Sequence, residues 1–221
     1  KTQQRIAPNL ASLLSKAFTP DLRSRLALSL NWPHLAPVWG PYLPRPYARQ
    51  IRAVHRKTQI PRGLLYGIML SESGFEPYIV SRASAVGLFQ VIPPTGLEVA
   101  HQLKRSAFHP GELLEPQTSI EFGGTYLAML AEEFHNVWPL VIAAYNAGPH
   151  QVRRWLKRSR PVSLTQWVEE IPFGETRAYV KLVLGRWVLY ARELGEPRPR
   201  WPHMAPIRSP QESQQNPRST R

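Results

Sequence analysis

An all-α body is what this sequence predicts, on three observations. Apolar residues recur at steps of three and four from about residue 47 to 194, the spacing of one helix face. Alternation at steps of two, the mark of a half-buried strand, is nearly absent. Pro and Gly fall at the ends of the periodic runs, where helices start and stop. With 221 residues, 43% of them hydrophobic, the chain can build one well-packed domain with extensions, or two small ones.

Residues 1–44 read as an N-terminal helical extension and linker. Leu10, Leu13, Leu14 and Phe18, then Leu22, Leu26 and Leu28, mark two short helices with Thr19-Pro20-Asp21 between them. Residues 31–46, rich in Pro and Trp, predict an irregular segment that packs through aromatics. The body, 45–195, opens with a helix over 47–58 that stops ahead of Pro61. The next helix starts at Pro61, which suits a first turn, and runs to Ser73, with Gly74 and Pro77 closing it. A loop follows over 76–86, with room for a short β-hairpin near 78–86. Helix resumes over 87–92, and Pro93-Pro94-Thr95 opens another through Leu103. Further helices are expected at 117–134, 137–147, 150–158, 164–170 and 174–194. Residues 196–221, rich in Pro, Arg, Gln and Ser, predict a disordered tail.

The charge balance narrows the partners. Net charge is +13 and the pI is near 10.6, so polyanions attract this chain: nucleic acid, anionic lipid or an acidic wall polymer. The Arg residues are scattered, without a dense basic tract or a nucleic-acid-binding signature. No apolar run reaches the roughly 18–20 residues of a membrane span. No signal peptide is visible, and a start at Lys1 rather than Met is expected of a processed or truncated form. Cysteine is absent, which excludes disulfides and thiolate metal sites. The seven His show no metal-ligand spacing, so no metal or cofactor is expected. There is no Gly-x-Ser-x-Gly elbow, and Gly63, Gly67, Gly74 and Gly87 do not form a phosphate loop.

One residue breaks its pattern. The stripe of the helix over 61–73 is Leu65, Ile68, Met69, then position 72, then Phe75 just beyond. Glu72 therefore stands where a core residue is expected. Two readings are open. It lies at the stripe's edge and reaches water, or it is buried, with its pKa raised enough to donate a proton. A two-carboxylate glycosidase would need a partner acid facing it. Glu76 is near but lies past the Gly74 break, and Glu115, Glu121, Glu132, Glu133, Glu169, Glu170 and Glu175 are more distant candidates. Asp21 lies in the N-terminal extension, so the body contains no Asp.

Four segments together resemble one family. Ser71-Glu72-Ser73-Gly74-Phe75-Glu76-Pro77 is similar to the Glu-Ser-x-Phe/Trp-x-Pro signature of lytic transglycosylases with a soluble-type (SLT) catalytic domain, in glycoside hydrolase family 23. Ser81-Arg82-Ala83-Ser84-Ala85-Val86-Gly87-Leu88-Phe89-Gln90-Val91-Ile92-Pro93 resembles its second motif. Ala143-Ala144-Tyr145-Asn146-Ala147-Gly148-Pro149, continued to Leu156, resembles the third, and the run from Ile171 to Val180 the fourth. All four stand in the family's order. Ser84 departs from the usual Gly, and Phe89 from the usual Met.

The resemblance implies a lysozyme-like helical fold with a glycan groove. It implies that Glu72 is the catalytic acid/base. It also implies substrate contacts for Ser81, Phe89, Gln90, Tyr145, Asn146, Glu175 and Tyr179. By themselves, Tyr145 reads as a core Tyr and Asn146 as a helix-end residue, while Glu175 reads equally as a helix N-terminal acid and Ser81 as a turn Ser. The implied reaction cuts the bond between N-acetylmuramic acid and N-acetylglucosamine in peptidoglycan and leaves 1,6-anhydro ends. The implied setting is the bacterial envelope, in the periplasm. A monomer is expected, acting on glycan strands and not on nucleic acid, with other cell-wall enzymes as further partners. Three alternatives stand beside it: a goose-type-lysozyme-like muramidase, a non-catalytic wall-binding module, and a nucleic-acid-binding protein resting on the charge.

Overall fold

The computed structural model describes residues 43–158 and 163–200. The two short helices expected at 10–30, most of the linker and the tail from 201 lie outside the described residues. Among the described residues there are eight α-helices and no strand. They are α1 (Ala48–Thr58), α2 (Arg62–Ser73), α3 (Pro93–Gln102), α4 (Pro116–Glu133), α5 (Trp138–Ala147), α6 (Pro149–Arg158), α7 (Leu164–Glu169) and α8 (Gly174–Glu193). All eight were expected, with ends within a residue or two. Pro sits in the first turn of α3, α4 and α5, where a missing N–H leaves no bond unmade.

α2 is the central helix, buried along nearly all its length. It lies against α8. A Cβ on Gly63 would come within 2.9 Å of the Ala191 backbone, and one on Gly67 within 3.3 Å of the Trp187 backbone. The two helices therefore meet backbone to backbone at these positions. Tyr66 of α2 stacks on Tyr190 of α8 at 5.1 Å, and the Tyr190 hydroxyl donates to Pro44 O. Such close packing fixes the register between α2 and α8, and that register sets the site below.

Three expectations change. Residues 87–92 are not helix. Val86 bridges antiparallel to both Val80 and Val91, and the hairpin allowed for near 78–86 reduces to these isolated bridges. Gly87 (φ +74°) and Gln90 (φ +45°) are in the left-handed region, which a right-handed helix does not admit. A 3-10 turn over Pro110–Leu114, where no element was expected, buries Leu113 and is closed by the His109 N–H donating to Glu112. Glu196, placed at the start of the tail, belongs to the body. Its carboxylate accepts from the Arg62 and Gly63 N–H groups and from Arg62 Nε at 2.8 Å, so it caps the N-terminus of α2.

Ser84, standing where the related motif has Gly, has φ +61°. A non-Gly residue there costs about 1–2 kcal/mol, against about 0.5–1 kcal/mol of chain entropy that glycine loses on folding. Ser84→Gly is therefore expected to stabilise the fold by about 0.5 kcal/mol, read as a small rise in denaturant midpoint.

Candidate active site

Glu72 lies in the last turn of α2, ahead of the Gly74 C-cap (φ +59°). The helix end is held from below by Ser73. Its buried Oγ lies 2.9 Å from Leu88 O and 3.1 Å from Met69 O, and it accepts the Phe75 N–H. The loop carrying the second motif is thereby tied to the turn that carries the acid.

Glu72 is partly buried. Burial pushes its pKa up to about 7, and the negative charge of Glu175 pushes the same way. The negative end of the α2 dipole also disfavours a carboxylate here. One interaction opposes them: the Tyr179 hydroxyl donates to Glu72 Oε1. Tyr179 follows Glu175 by four residues on α8, so both stand on one face of that helix. Burial and the Glu72 charge hold the Tyr179 hydroxyl well above its ordinary pKa, so it remains a donor throughout the working range. The result is a carboxyl poised between its two protonation states near neutrality, with a fixed donor that favours the ionised one.

The other expected residues divide. Tyr145 donates to Phe89 O at 2.6 Å; burial raises its pKa, and it lies close enough to Glu72 for that charge to raise it further. It also packs on Tyr126, with ring centroids 5.5 Å apart. Glu175 is exposed in the first turn of α8. Four of the eight, then, share one site: Glu72, Tyr145, Glu175 and Tyr179.

The remaining four have other work in this structure. Ser81 Oγ accepts from the Ala83 and Ala85 N–H groups, the turn role. The Gln90 amide donates to Ile79 O and Gly87 O and so braces the loop. Asn146 Oδ1 accepts from Thr176 and joins α5 to α8. Phe89 is 0% exposed and packed on Gly123, so its ring is core and not groove wall. Its contribution to the site is its backbone carbonyl, fixed in part by its N–H donating to Ser119 Oγ.

Sequence reasoning passed over Ser73, Ser71 and Arg186. Arg186 lies seven residues beyond Tyr179 on the face of α8 toward α2, and Nη1 donates to Ser71 Oγ at 2.8 Å. A cation at core spacing among Val183 and Trp187 was the available signal. Among the described residues no His, Cys, Asp or Glu cluster could hold a metal ion. No helix among them is long and apolar enough to cross a membrane.

Because Glu175 raises the Glu72 pKa, Glu175→Gln is expected to lower it. The Glu72 carboxyl, followed by isotope-edited NMR, should titrate at a more acid pH in that variant. An unchanged titration would mean that the two acids do not communicate.

Known proteins carry the same architecture. A family model for the transglycosylase SLT domain matches residues 49–167. The soluble lytic murein transglycosylase of Escherichia coli K12 is 37% identical over 140 residues, covering 62% of this chain and 22% of the relative. The membrane-bound lytic murein transglycosylase C of Mannheimia succiniciproducens is 34% identical over 119 residues, covering 50% of this chain and 33% of the relative. The chain thus spans about a fifth to a third of the length of these relatives. The crystal structure of the 70 kDa soluble lytic transglycosylase from Escherichia coli superposes with a TM-score of 0.73 at 31% identity, covering 86% of this chain and 30% of that one. An inactive Glu-to-Gln mutant of the lytic transglycosylase from Pseudomonas aeruginosa superposes at 0.70 with 27% identity, over 89% of this chain and 33% of that one. With the family model matching over half its length and the same lysozyme-like helical fold, this chain belongs to the transglycosylase SLT domain family.

Proposed function

We propose that the chain is a peptidoglycan lytic transglycosylase in which Glu72 acts alone as acid and then base. The observation that carries this reading is the Glu72 carboxyl itself. It is half-buried, raised to about 7 and held by Tyr179, with no second carboxylate bonded to it among the described residues. In the protonated state Glu72 gives its proton to the oxygen linking N-acetylmuramic acid to N-acetylglucosamine. The muramoyl 2-acetamido group stabilises the cationic centre that forms. Glu72, now ionised and steadied by the Tyr179 hydroxyl, takes the proton of the muramoyl C6 hydroxyl. The C6 oxygen closes on C1, and a 1,6-anhydro end is left. Tyr145 acts beside the acid, and Ser81, Gln90 and Asn146 act by holding the loops of the groove. The names of the murein-cleaving relatives, and the inactive Glu-to-Gln mutant among them, support the assignment. The periplasmic face of the wall is the setting that substrate requires, and the +13 charge suits residence on an anionic wall.

A hydrolytic reading is favoured by one observation, the Glu175 charge felt at Glu72. In that case Glu175 would activate a water as base. Activity separates the two. Glu175→Gln should leave substantial clearing of purified sacculi under the single-acid scheme, and abolish it if Glu175 is the base. Glu72→Gln should abolish clearing while the protein still sediments with the sacculi.

A further inference from the structure

An acid, a hydroxyl and a cation stand in one row on α8. Tyr179 follows Glu175 by four residues, and Arg186 follows Tyr179 by seven. At 3.6 residues per turn the three fall within about 40° of one line along the helix. The row faces α2 across a close contact, where a Cβ on Gly67 would lie 3.5 Å from the Arg186 Cβ. One turn further along α2, Ser71 Oγ accepts from Arg186 Nη1 at 2.8 Å and gives its own hydrogen to Gly67 O at 2.7 Å. Ser71 immediately precedes Glu72, so the guanidinium is tied to the turn that carries the acid.

The Arg186 charge has no counter-ion here. The side chain is half-buried, and among the described residues no carboxylate lies within ion-pair distance of it. Burial lowers its pKa, yet a guanidinium stays charged throughout the working range. The groups that face it are hydroxyls: Tyr190 and Tyr179 of its own helix and Ser71 of α2. A half-buried cation without a counter-ion costs stability. Packing does not require it, because an uncharged side chain of the same length would cover Gly67 as well.

Tyr179 is where the charge is felt. Side chains on a helix lean toward its N-terminus, which directs the Arg186 guanidinium back along α8 toward Tyr179. Burial, the Glu72 carboxylate and Tyr145 hold the Tyr179 proton tightly, and the Arg186 charge pulls the other way. A hydroxyl that holds its proton less tightly is a stronger donor, and a stronger donor favours the ionised carboxylate. At the other end of the row Glu175 acts in the opposite sense, adding to burial in raising the Glu72 pKa. Two further groups stand near Glu72: Tyr145 on α5, a neutral hydroxyl, and Glu76, exposed beyond the Gly74 C-cap.

We propose that Arg186 is a positioning residue for the acid: anchored on Ser71, it directs its charge at the Tyr179 hydroxyl and so steadies the Glu72 carboxylate between the two proton transfers. It exchanges no proton and touches no substrate. The inference rests on the single-acid reading above and names the group that offsets Glu175 within it.

The test follows the Glu72 carboxyl of the whole chain by isotope-edited NMR, without substrate. In Arg186→Gln the titration should move up by about half a pH unit or more. Arg186→Lys keeps the charge and should restore most of the difference. Glu175→Gln/Arg186→Gln, which removes both ends of the row, should titrate below Arg186→Gln alone. An unchanged titration in Arg186→Gln overturns the proposal. Should that variant fail to fold, Ser71→Ala releases the guanidinium and leaves the helix contact intact; its titration should also rise, and no rise overturns the proposal. On soluble glycan strands Arg186→Gln should lower kcat about tenfold with KM within about twofold, and the alkaline limb of its pH–rate profile should move up with the NMR titration. A loss carried by KM alone would make Arg186 a substrate contact and overturn the positioning role. Were the wild type to cleave no glycan, the single-acid reading would fall, while the NMR titrations would still decide what Arg186 does to Glu72.

Discussion

Glu72→Gln is expected to stabilise the fold at neutral and alkaline pH while removing the proposed activity. The folded carboxyl titrates near 7, above its ordinary 4.5. Below about pH 4 both folded and unfolded states hold the proton, and the exchange to the amide is nearly neutral. Between about 4.5 and 7 the unfolded chain releases its proton and the folded one keeps it, so the wild type loses stability as pH rises. Above 7 the folded state carries the half-buried charge in full. That rise, at about 1.4 kcal/mol per pH unit, sets an upper bound of about 3 kcal/mol. Partial exposure of the group reduces that to about 2 kcal/mol. A domain of this size should then gain about 4–8 °C in Tm at pH 8 and almost nothing at pH 4. Thermal scans at the two pH values check it. A gain of equal size at both would point to packing and not to the proton. Activity on sacculi should fall by about 10³-fold or more, the range for losing a general acid. A catalytic group that costs stability is the usual exchange at an active site.

Gly87→Ala carries the largest expected stability loss. A Cβ there would lie 2.0 Å from Leu113 O and 2.9 Å from Ser119 Oγ, and the backbone already has φ +74°. The carbonyl is backbone, set by the 3-10 turn, and cannot swing aside as a side chain would. Overpacking of about 1–3 kcal/mol adds to a left-handed penalty of about 1–2 kcal/mol, giving about 2–5 kcal/mol in total. Equilibrium urea unfolding measures it. The same displacement would move Leu88 O and Phe89 O, the acceptors that hold Ser73 and Tyr145. Activity should therefore fall further than the folded fraction does. A variant with wild-type stability would show that the loop has room the structure does not give it.

These two sites show how far the sequence alone could be read. Glu72 stood out as a carboxylate at core spacing, but the spacing left its burial open and only the motif resemblance gave it a role; the helix that carries it follows from a run of apolar residues between Pro and Gly. The eight helices are long or well punctuated, so periodicity found them. The 3-10 turn over Pro110–Leu114 offers a single buried residue, Leu113, and one residue has no period. The stretch over 87–92 looked helical because its apolar residues are adjacent, whereas the left-handed Gly87 and Gln90 break the chain direction. Glu196 was indistinguishable from a solvated tail acid, since its partners are backbone N–H groups 133 and 134 residues away. Phe89 was taken for a groove residue through its motif. Its burial depends on the small Gly123 of α4, which no local pattern reveals.

The chemical identity of the products tests the central claim most directly. Purified sacculi digested to completion by the wild type should yield soluble fragments whose new muramoyl ends are all 1,6-anhydro, by mass spectrometry. Digestion by Glu175→Gln should give the same ends. Fragments heavier by one water, with reducing muramoyl ends, would contradict a single Glu72 acting as acid and base, and would place a water-activating group in the site.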